Sequence, residues 1–338
     1  MGTFLYPTNA ELTAILQEKL PVRTLDDAIF EIMPIEDDDA SLVMWEQEDN
    51  YVGLMSLRGF DGQPSRVSRV GIKQYQMLPG VYGDYIQLDE TELTLGRATG
   101  SFGQPIDIQN LVVRRQDQLL NRAIDRLRYI GWTLVAEGTF SVPTPDGQVI
   151  HSDSFTLQSY AASVAWTTSA TATPLKDFRS VRLLGRGKGV AFGAGSVAYM
   201  SQVTFNSLVS NTNANDIAGR RVTGLLAPLN LEEVNQIMLG EALPTVQIYD
   251  EGYLADDGSF VPFLPDGRVV VVGKRPAGQR VAAFKMTRNA TNPNASPGMY
   301  NKVIDRGEDS VPRLIEVHMG FNGGPAIYYP SAIVKMSV

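Results

Sequence analysis

Cysteine is absent from this chain of 338 residues, and histidine occurs only at His151 and His318. The lack of cysteine excludes disulfide bonds, thiolate metal ligands and a cysteine nucleophile. Two separated histidines leave few groups for proton transfer near neutral pH. No run of about 18 apolar residues occurs, so the sequence predicts no membrane-spanning helix. The N-terminus lacks the basic and apolar regions of a secretory signal, and none is expected.

Motifs that could support catalysis or ligand binding are incomplete. Residues 183–196, LLGRGKGVAFGAGS, are rich in glycine. However, Gly187-Lys188 is followed by Gly189, where a phosphate-binding loop needs serine or threonine for Mg²⁺. His151 lies beside Asp153 on a predicted hairpin strand, and we interpret the two as a surface pair. The sequence therefore predicts no catalytic residue, no cofactor and no metal site.

Negative charge is concentrated near the N-terminus. The chain has 37 acidic and 29 basic side chains, a formal net charge of −8. Twelve of the acids but only two of the bases lie in residues 1–50. Such a segment either stays solvated or binds a basic protein surface, and it would repel nucleic acid. Its densest part lacks the ligand spacing of a calcium loop and is predicted to be a solvated turn. This run is Glu36, Asp37, Asp38 and Asp39.

Residues 110–136 give the strongest helix signal in the chain. Apolar side chains recur every seven residues at Val113, Leu120, Leu127 and Leu134, and no proline interrupts the pattern. Gly138 stands where a helix end is expected. The predicted helix would be about 40 Å long. Its polar face carries five arginines: Arg114, Arg115, Arg122, Arg126 and Arg128.

Short β-like segments separated by Gly, Pro and Asp occupy residues 42–105. Within them, residues 58–69 are polar, rich in turn residues and basic, which predicts an extended hairpin tip. We expect this tip to contact another subunit rather than DNA, because Phe60 is its only aromatic side chain and the whole chain is acidic. The basic residues of the tip are Arg58, Arg66 and Arg69.

The rest of the chain mixes strands with shorter helices. A hairpin is predicted around Pro145-Asp146-Gly147, and a β-ribbon over 249–273 with turns at Asp257-Gly258 and Asp266-Gly267. VTFNSLVSN and LEEVNQIML are predicted to be helical. Residues 286–311 are predicted to be a surface loop. The C-terminal stretch from 313 to 338 is predicted to form two strands joined by a glycine turn.

Three stretches and the order of the elements resemble the major capsid proteins of tailed bacteriophages of the lambda E type. The stretches are RRQDQLLNRAIDRLRYIGWTLVAEGTFSV at 114–142, WTTSATATPLKDFRSV at 166–181 and GYLADDGSFVPFLPDGRVVVVG at 252–273. The resemblance implies an α+β chain with the HK-97-like capsid fold. It implies an N-terminal arm at 1–41, an extended β-hairpin (E-loop) at 42–105, a peripheral domain with the long spine helix at 106–182 and 311–338, and an axial domain at 183–310. Lys73 is the only lysine between Lys19 and Lys176, which leaves covalent crosslinking of a shell open.

The resemblance also implies a function. The chain would assemble into hexamers and pentamers of an icosahedral head that encloses double-stranded DNA without binding a particular sequence. A decoration protein, a scaffold and a portal would be further partners, and the shell would form in the host cytoplasm. We expect the acidic N-terminal arm, including Glu36, Asp37, Asp38 and Asp39, to dock on the helix arginines of an adjacent copy. Two alternatives stay open: a compartment shell of the same fold that encloses cargo enzymes, and a carboxylate-dependent enzyme with two converging acids in an apolar pocket.

Overall fold

A computed structural model describes residues 8–48, 53–58, 60, 62–67, 71–95, 108–143, 146–212, 229–275, 279–305, 311 and 313–338. Within these residues the helices are α1 (Asn9–Thr24), α2 (Ala28–Ile32), α3 (Glu90–Leu95), α4 (Ile108–Glu137), α5 (Pro174–Leu184), α6 (Gln202–Val209) and α7 (Leu231–Gly240). The first eight strands are β1 (Ile35–Asp37), β2 (Val43–Glu48), β3 (Ile72–Met77), β4 (Gly80–Leu88), β5 (Thr139–Pro143), β6 (Val149–Ser154), β7 (Gln158–Ala161) and β8 (Val197–Met200). The other eight are β9 (Thr245–Ile248), β10 (Gly252–Leu254), β11 (Phe260–Pro262), β12 (Arg268–Val272), β13 (Ala282–Met286), β14 (Tyr300–Asp305), β15 (Ile315–Ile327) and β16 (Ile333–Ser337). None of these helices is long and apolar enough to cross a membrane.

Helix α4 is the long helix that the seven-residue apolar repeat predicts. It extends two residues before and one residue beyond the predicted range. Leu120, Leu127 and Leu134 of the repeat are buried, because the apolar stripe faces both sheets of the molecule. Gly138 follows the helix with a φ of +77°, and its N–H donates to the carbonyl of Leu134. Glycine adopts a positive φ without the steric cost that other residues pay, so Gly138 ends the helix as expected.

The first sheet is built around the 13-residue strand β15. This strand pairs with β4, β13 and β14, all antiparallel, and β1 pairs with β13 in parallel. The predicted glycine turn in the C-terminal stretch is wrong, because Gly320, Gly323 and Gly324 all lie inside β15. A Cβ at Gly320 would lie 2.1 Å from the carbonyl oxygen of Tyr82 and 2.7 Å from the ring of Tyr300. These glycines therefore allow close approach of neighbouring strands and rings rather than a reversal of the chain.

Gly320→Ala is expected to lower the free energy of unfolding by about 1–3 kcal/mol, because the added methyl group would displace the backbone of β4. Gly240→Ala is the matched control, since no atom lies within 4 Å of a Cβ at that position of α7. Urea unfolding of the two variants measures the difference. Equal stability of both variants and the wild type would contradict the role assigned to Gly320.

The second sheet lies between two helical layers. Its strand order is β7-β16-β12-β8-β9. Successive residues of β12 point to opposite faces, as a strand requires. Val270 packs into the core that contains α4, whereas Val269 and Val271 pack with the buried residues of α5, α6 and α7. The sheet therefore separates α4 from the three shorter helices.

Each sheet combines strands from both sides of the domain boundaries that the resemblance implies. β13 and β14 precede residue 311 but pair with β15, and β16 at the C-terminus pairs with β12. Each sheet therefore crosses the predicted domain boundaries at 182/183 and 310/311. The division into a peripheral and an axial domain stays a prediction. The predicted surface loop at 286–311 is wrong for residues 300–305, which form β14.

The N-terminal segment packs onto the body of the molecule. Thr8 and Glu11 form a reciprocal capping box that begins α1, and the helix continues past Pro21 to Thr24. Ile29 and Ile32 of α2 are buried. The prediction of a solvated acidic turn is wrong for the start of the run, because β1 is a hydrogen-bonded edge strand. Several apolar side chains of α1 and α2 are buried by this packing, although acidic residues dominate the composition of the N-terminal segment.

Three hairpins extend from these layers. β2 pairs with β3, β5 with β6, and β10 with β11, all antiparallel. Gly147 and Gly258 have φ values of +80°, which confirms the turns predicted there. The predicted E-loop at 42–105 is not a hairpin throughout. Its strand β4 pairs with β15 and belongs to the first sheet.

Candidate subunit-contact surfaces

The acidic run at 36–39 is paired with cations of the same chain. Glu36 contacts Arg280 and accepts a hydrogen bond from the Tyr328 hydroxyl at 3.2 Å. Asp38 accepts from Lys285 at 2.9 Å. Asp39 accepts two hydrogen bonds from Arg288, at 2.7 and 2.9 Å. Asp37 is part of β1, and partial burial raises the pKa of its carboxyl.

These contacts explain why the acidic residues follow a strand edge rather than forming a free tail. Three carboxylates match three cations that lie on β13 or within two residues of it. Their docking on an adjacent copy stays a prediction, and Glu36, Asp38 and Asp39 already have a partner in their own copy. Within the described residues, no three His, Asp or Glu side chains approach closely enough to hold a metal ion.

The helix arginines also have intramolecular contacts. Arg115 binds Glu92 of α3, and Arg122 binds Asp84 of β4 at 2.8 Å. The Arg126 guanidinium lies 5.7 Å from the centre of the Tyr129 ring. Arg114 is exposed. In the part of the chain that the structure describes, it is the one helix arginine without an assigned polar, ionic or ring partner.

Arg128 connects the N-terminal segment to the long helix α4. Its guanidinium binds Asp27, and it also contacts Asp125 at 3.1 Å and Glu251 at 3.5 Å. The Asp27 side chain is only 3% exposed, and it also accepts from the N–H of Ile29 at the start of α2. Partial burial disfavours the charged form of Arg128, but the Asp27 carboxylate, with smaller contributions from Tyr249 and Glu251, raises its pKa. This ion-pair network fixes α2 against α4.

The E-loop exposes apolar side chains in its tip and in the segment just before the tip, and the sequence analysis does not predict them. Leu54, Met55, Leu57 and Phe60 are between 97% and 107% exposed. The sequence predicts a β-like segment here, but residues 53–58 form no strand. The signal that could have identified them is the apolar run at 54–57, which directly precedes polar turn residues that form no core. Contiguous exposed apolar side chains of this kind are typical of protein contact sites.

Two basic residues of the tip, Arg58 and Arg66, are among the described residues, and neither has a carboxylate partner there. Arg58 donates to the carbonyl oxygen of Gly62 at 3.0 Å, and Arg66 is exposed. Arg69 lies outside the described residues. The tip therefore combines positive charge with exposed apolar surface, which suits a protein contact better than a phosphate contact alone.

The prediction of an exposed pair between His151 and Asp153 is wrong. His151 is 6% exposed, and its Nδ1 is hydrogen-bonded to the Tyr82 hydroxyl. The Phe140 ring packs edge-on against it. Burial lowers the pKa of His151 to about 4, although the Asp153 carboxylate opposes the shift. The histidine is thus a neutral side chain that joins the β5–β6 hairpin to β4.

This burial makes stability depend on pH. In the unfolded chain the pKa of His151 returns to about 6.5, so the unfolded state binds the extra proton between about pH 6.5 and 4. The free energy of unfolding is expected to fall as pH is lowered through that window, by up to about 3 kcal/mol. His151→Gln is expected to remove this part of the slope, measured as urea midpoints at pH 7 and 4.5. An unchanged slope in the variant would contradict the assignment.

Comparisons with known proteins give a consistent result. The family described as phage major capsid protein E matches residues 8–338. A solved structure described as a prophage capsid protein of E. coli CFT073 aligns with a TM-score of 0.60 and 14% identity, covering 98% of this chain and 99% of that one. The capsid of Myoviridae phage XM1 aligns with a TM-score of 0.50 and 13% identity, covering 90% and 89%. The capsid of a native GTA particle aligns with a TM-score of 0.50 and 13% identity, covering 92% and 89%. No curated protein matches.

Proposed function

The chain belongs to the phage major capsid protein E family, and from this premise we propose that its copies form hexamers and pentamers of a closed icosahedral head around double-stranded DNA. The chain is a structural subunit of the capsid shell with the HK-97-like α+β fold, and it is not an enzyme. A match over residues 8–338 supports this assignment along almost the whole chain. Assembly in the host cytoplasm, and contacts with a scaffold, a portal or a decoration protein, are parts of the proposal.

The observation that carries the proposed assembly is the exposed apolar tip of the E-loop. Side chains such as Leu57 and Phe60 have no packing partner among the described residues of their own copy. A long hairpin without a core of its own gains stability only by covering another surface. The tip therefore lies over a neighbouring subunit in the proposed shell, and Arg58, Arg66 and Arg69 contribute contacts there.

The charged residues divide into two groups in this proposal. Arg115, Arg122 and Arg128 of the spine helix stabilise the subunit itself, since each has a carboxylate partner. Arg114 and Arg126 have no such carboxylate partner in the described residues, so they are the helix residues proposed for contact between copies. Weak contacts repeated around a closed shell make dissociation cooperative.

Purification of the full chain followed by sedimentation, electron microscopy and nuclease treatment tests the proposal. We expect particles of megadalton mass with icosahedral outlines, and nuclease-protected DNA in heads recovered from producing cells. Closed shells that hold proteins and no DNA would instead support the compartment alternative. A stable small oligomer under every assembly condition would contradict the proposal.

A further inference from the structure

The glycine-rich segment at 183–196 remains unexplained by the shell assignment, and it follows a helix, α5, that carries several exposed cations. Residues 174–188 contain five cations and a single acid, Asp177. That acid is buried and accepts hydrogen bonds from Tyr160 and Trp166, so it contributes no surface charge. We call this surface the basic face. Its members are Lys176, Arg179, Arg182, Arg186, Lys188 and Lys274.

The spacing of α5 places the cations together. Lys176, Arg179, Arg182 and Arg186 recur at intervals of three or four residues, so they share one side of the helix and its C-terminal turn. All four are exposed, whereas Phe178 between them is buried.

The glycine-rich loop continues the same surface. A Cβ at Gly193 would lie 4.0 Å from Nε of Arg182, and one at Gly195 would lie 3.7 Å from Nζ of Lys274. Lys274 also pairs with Ala191 through backbone hydrogen bonds. The lack of side chains at these glycines leaves the cations open to a partner.

Most of these cations lack a counter-charge in their own copy. Arg179 pairs with Glu241 at 2.8 Å. The other members have no carboxylate within 4.0 Å among the described residues, and Lys188 donates to the neutral side chain of Gln158. This distinguishes the basic face from the spine helix, where the structure assigns Arg115, Arg122 and Arg128 to carboxylates.

A matching acidic surface lies on the opposite side of the same sheet. Residues 250–257, DEGYLADD, include the turn of the β10–β11 ribbon and carry no cation. Asp256 and Asp257 are exposed and form no ion pair within 4.0 Å in the described part of the chain. Leu254 and Phe260 beside them are exposed too. We call this surface the acidic ribbon. Its acids are Asp250, Asp256 and Asp257, whereas Glu251 beside them contacts Arg128 of its own copy at 3.5 Å.

The two surfaces cannot meet within one copy. The ribbon packs on α4, since the ring of Tyr253 lies edge-on to the ring of Tyr129, with 6.0 Å between the ring centres. α5 packs on the other face of the second sheet through residues such as Phe178. The sheet between them keeps unlike charges on opposite sides of the subunit. A contact between different surfaces of identical subunits is heterologous, and it closes into a ring when the rotation allows.

We propose that the basic face of α5 and the glycine-rich loop docks on the acidic ribbon of a second copy of this chain. Charge complementarity favours this partner over DNA, because the chain itself carries the matching acidic surface. Exposed Leu183 on the basic side and Leu254 on the ribbon add apolar contact that a phosphate backbone would not use. The inference rests on the proposed function, which requires contacts between copies, and it specifies the two surfaces.

Charge reversal in the full chain tests the pairing. Lys176→Glu with Arg186→Glu is expected to lower the yield of shells at least tenfold, and Asp250→Lys with Asp256→Lys is expected to do the same. The four substitutions together are expected to restore assembly to within threefold of the wild type. Lys302→Glu, an exposed cation on β14, is the control and is expected to assemble normally. Circular dichroism and thermal unfolding of the unassembled subunits verify that every variant folds.

The outcomes separate this inference from the function on which it depends. Wild-type yield from both double variants, or no recovery in the combined variant, would overturn the pairing while the shell assignment stands. Intact shells that lose DNA when the basic face is reversed would assign that face to the genome and also overturn it. A wild-type chain that never forms shells would overturn the proposed function and this inference with it.

Discussion

Replacing Leu57 and Phe60 with serine is expected to abolish shell assembly while the isolated subunit remains as stable as the wild type. Both side chains are fully exposed, so their loss removes no described packing within the subunit. Covering such side chains on a neighbour contributes about 1.5–3 kcal/mol each. The loss of about 3–6 kcal/mol at every contact is large compared with weak, multivalent association.

Sedimentation of the double variant and urea unfolding of its unassembled subunit measure the two parts of this prediction. Val311→Ser is the matched control, because Val311 is also fully exposed and lies outside the E-loop. The control is expected to assemble normally. Shells of normal yield from the double variant would contradict a role of the loop tip in assembly.

Asp27→Ala is expected to lower the free energy of unfolding by about 3–5 kcal/mol, because it leaves the half-buried Arg128 without its main partner. The same carboxylate accepts from the N–H of Ile29 and caps α2. Asp27→Asn retains a capping oxygen and removes the charge, so it separates the two contributions.

The matched control is Asp39→Ala, which breaks the pair with Arg288. Both side chains of that pair are more than half exposed, so the expected loss is only about 0–1 kcal/mol. Urea unfolding at one pH and ionic strength compares the variants. Similar losses from Asp27→Ala and Asp39→Ala would show that burial of the Asp27 pair has no special effect on stability.

Local patterns in the sequence predict several elements correctly. The apolar repeat from Val113 to Leu134 predicts α4, because one face of a long helix must be apolar to pack. Turns at Gly147 and Gly258 follow from the need for positive φ.

Features that depend on distant partners were not predictable in the same way. The sequence predicts a turn at the glycines of β15, and only the positions of Tyr82 and Tyr300 show why the strand needs glycine there. The acidic run could not be placed because its cations are about 250 residues away in sequence. The sequence predicts a surface pair for His151 and Asp153, because the ring of Phe140 and the β4 strand that bury His151 are not visible in local sequence.

A three-dimensional reconstruction of assembled particles by electron cryomicroscopy tests the central claim most directly. The account predicts a closed icosahedral shell of fivefold and sixfold clusters, with the E-loop tip of each copy buried on a neighbour and the acidic run still paired with Lys285 and Arg288 of its own copy. Particles without icosahedral order, or a closed shell in which Leu57 and Phe60 remain in solvent, would contradict it.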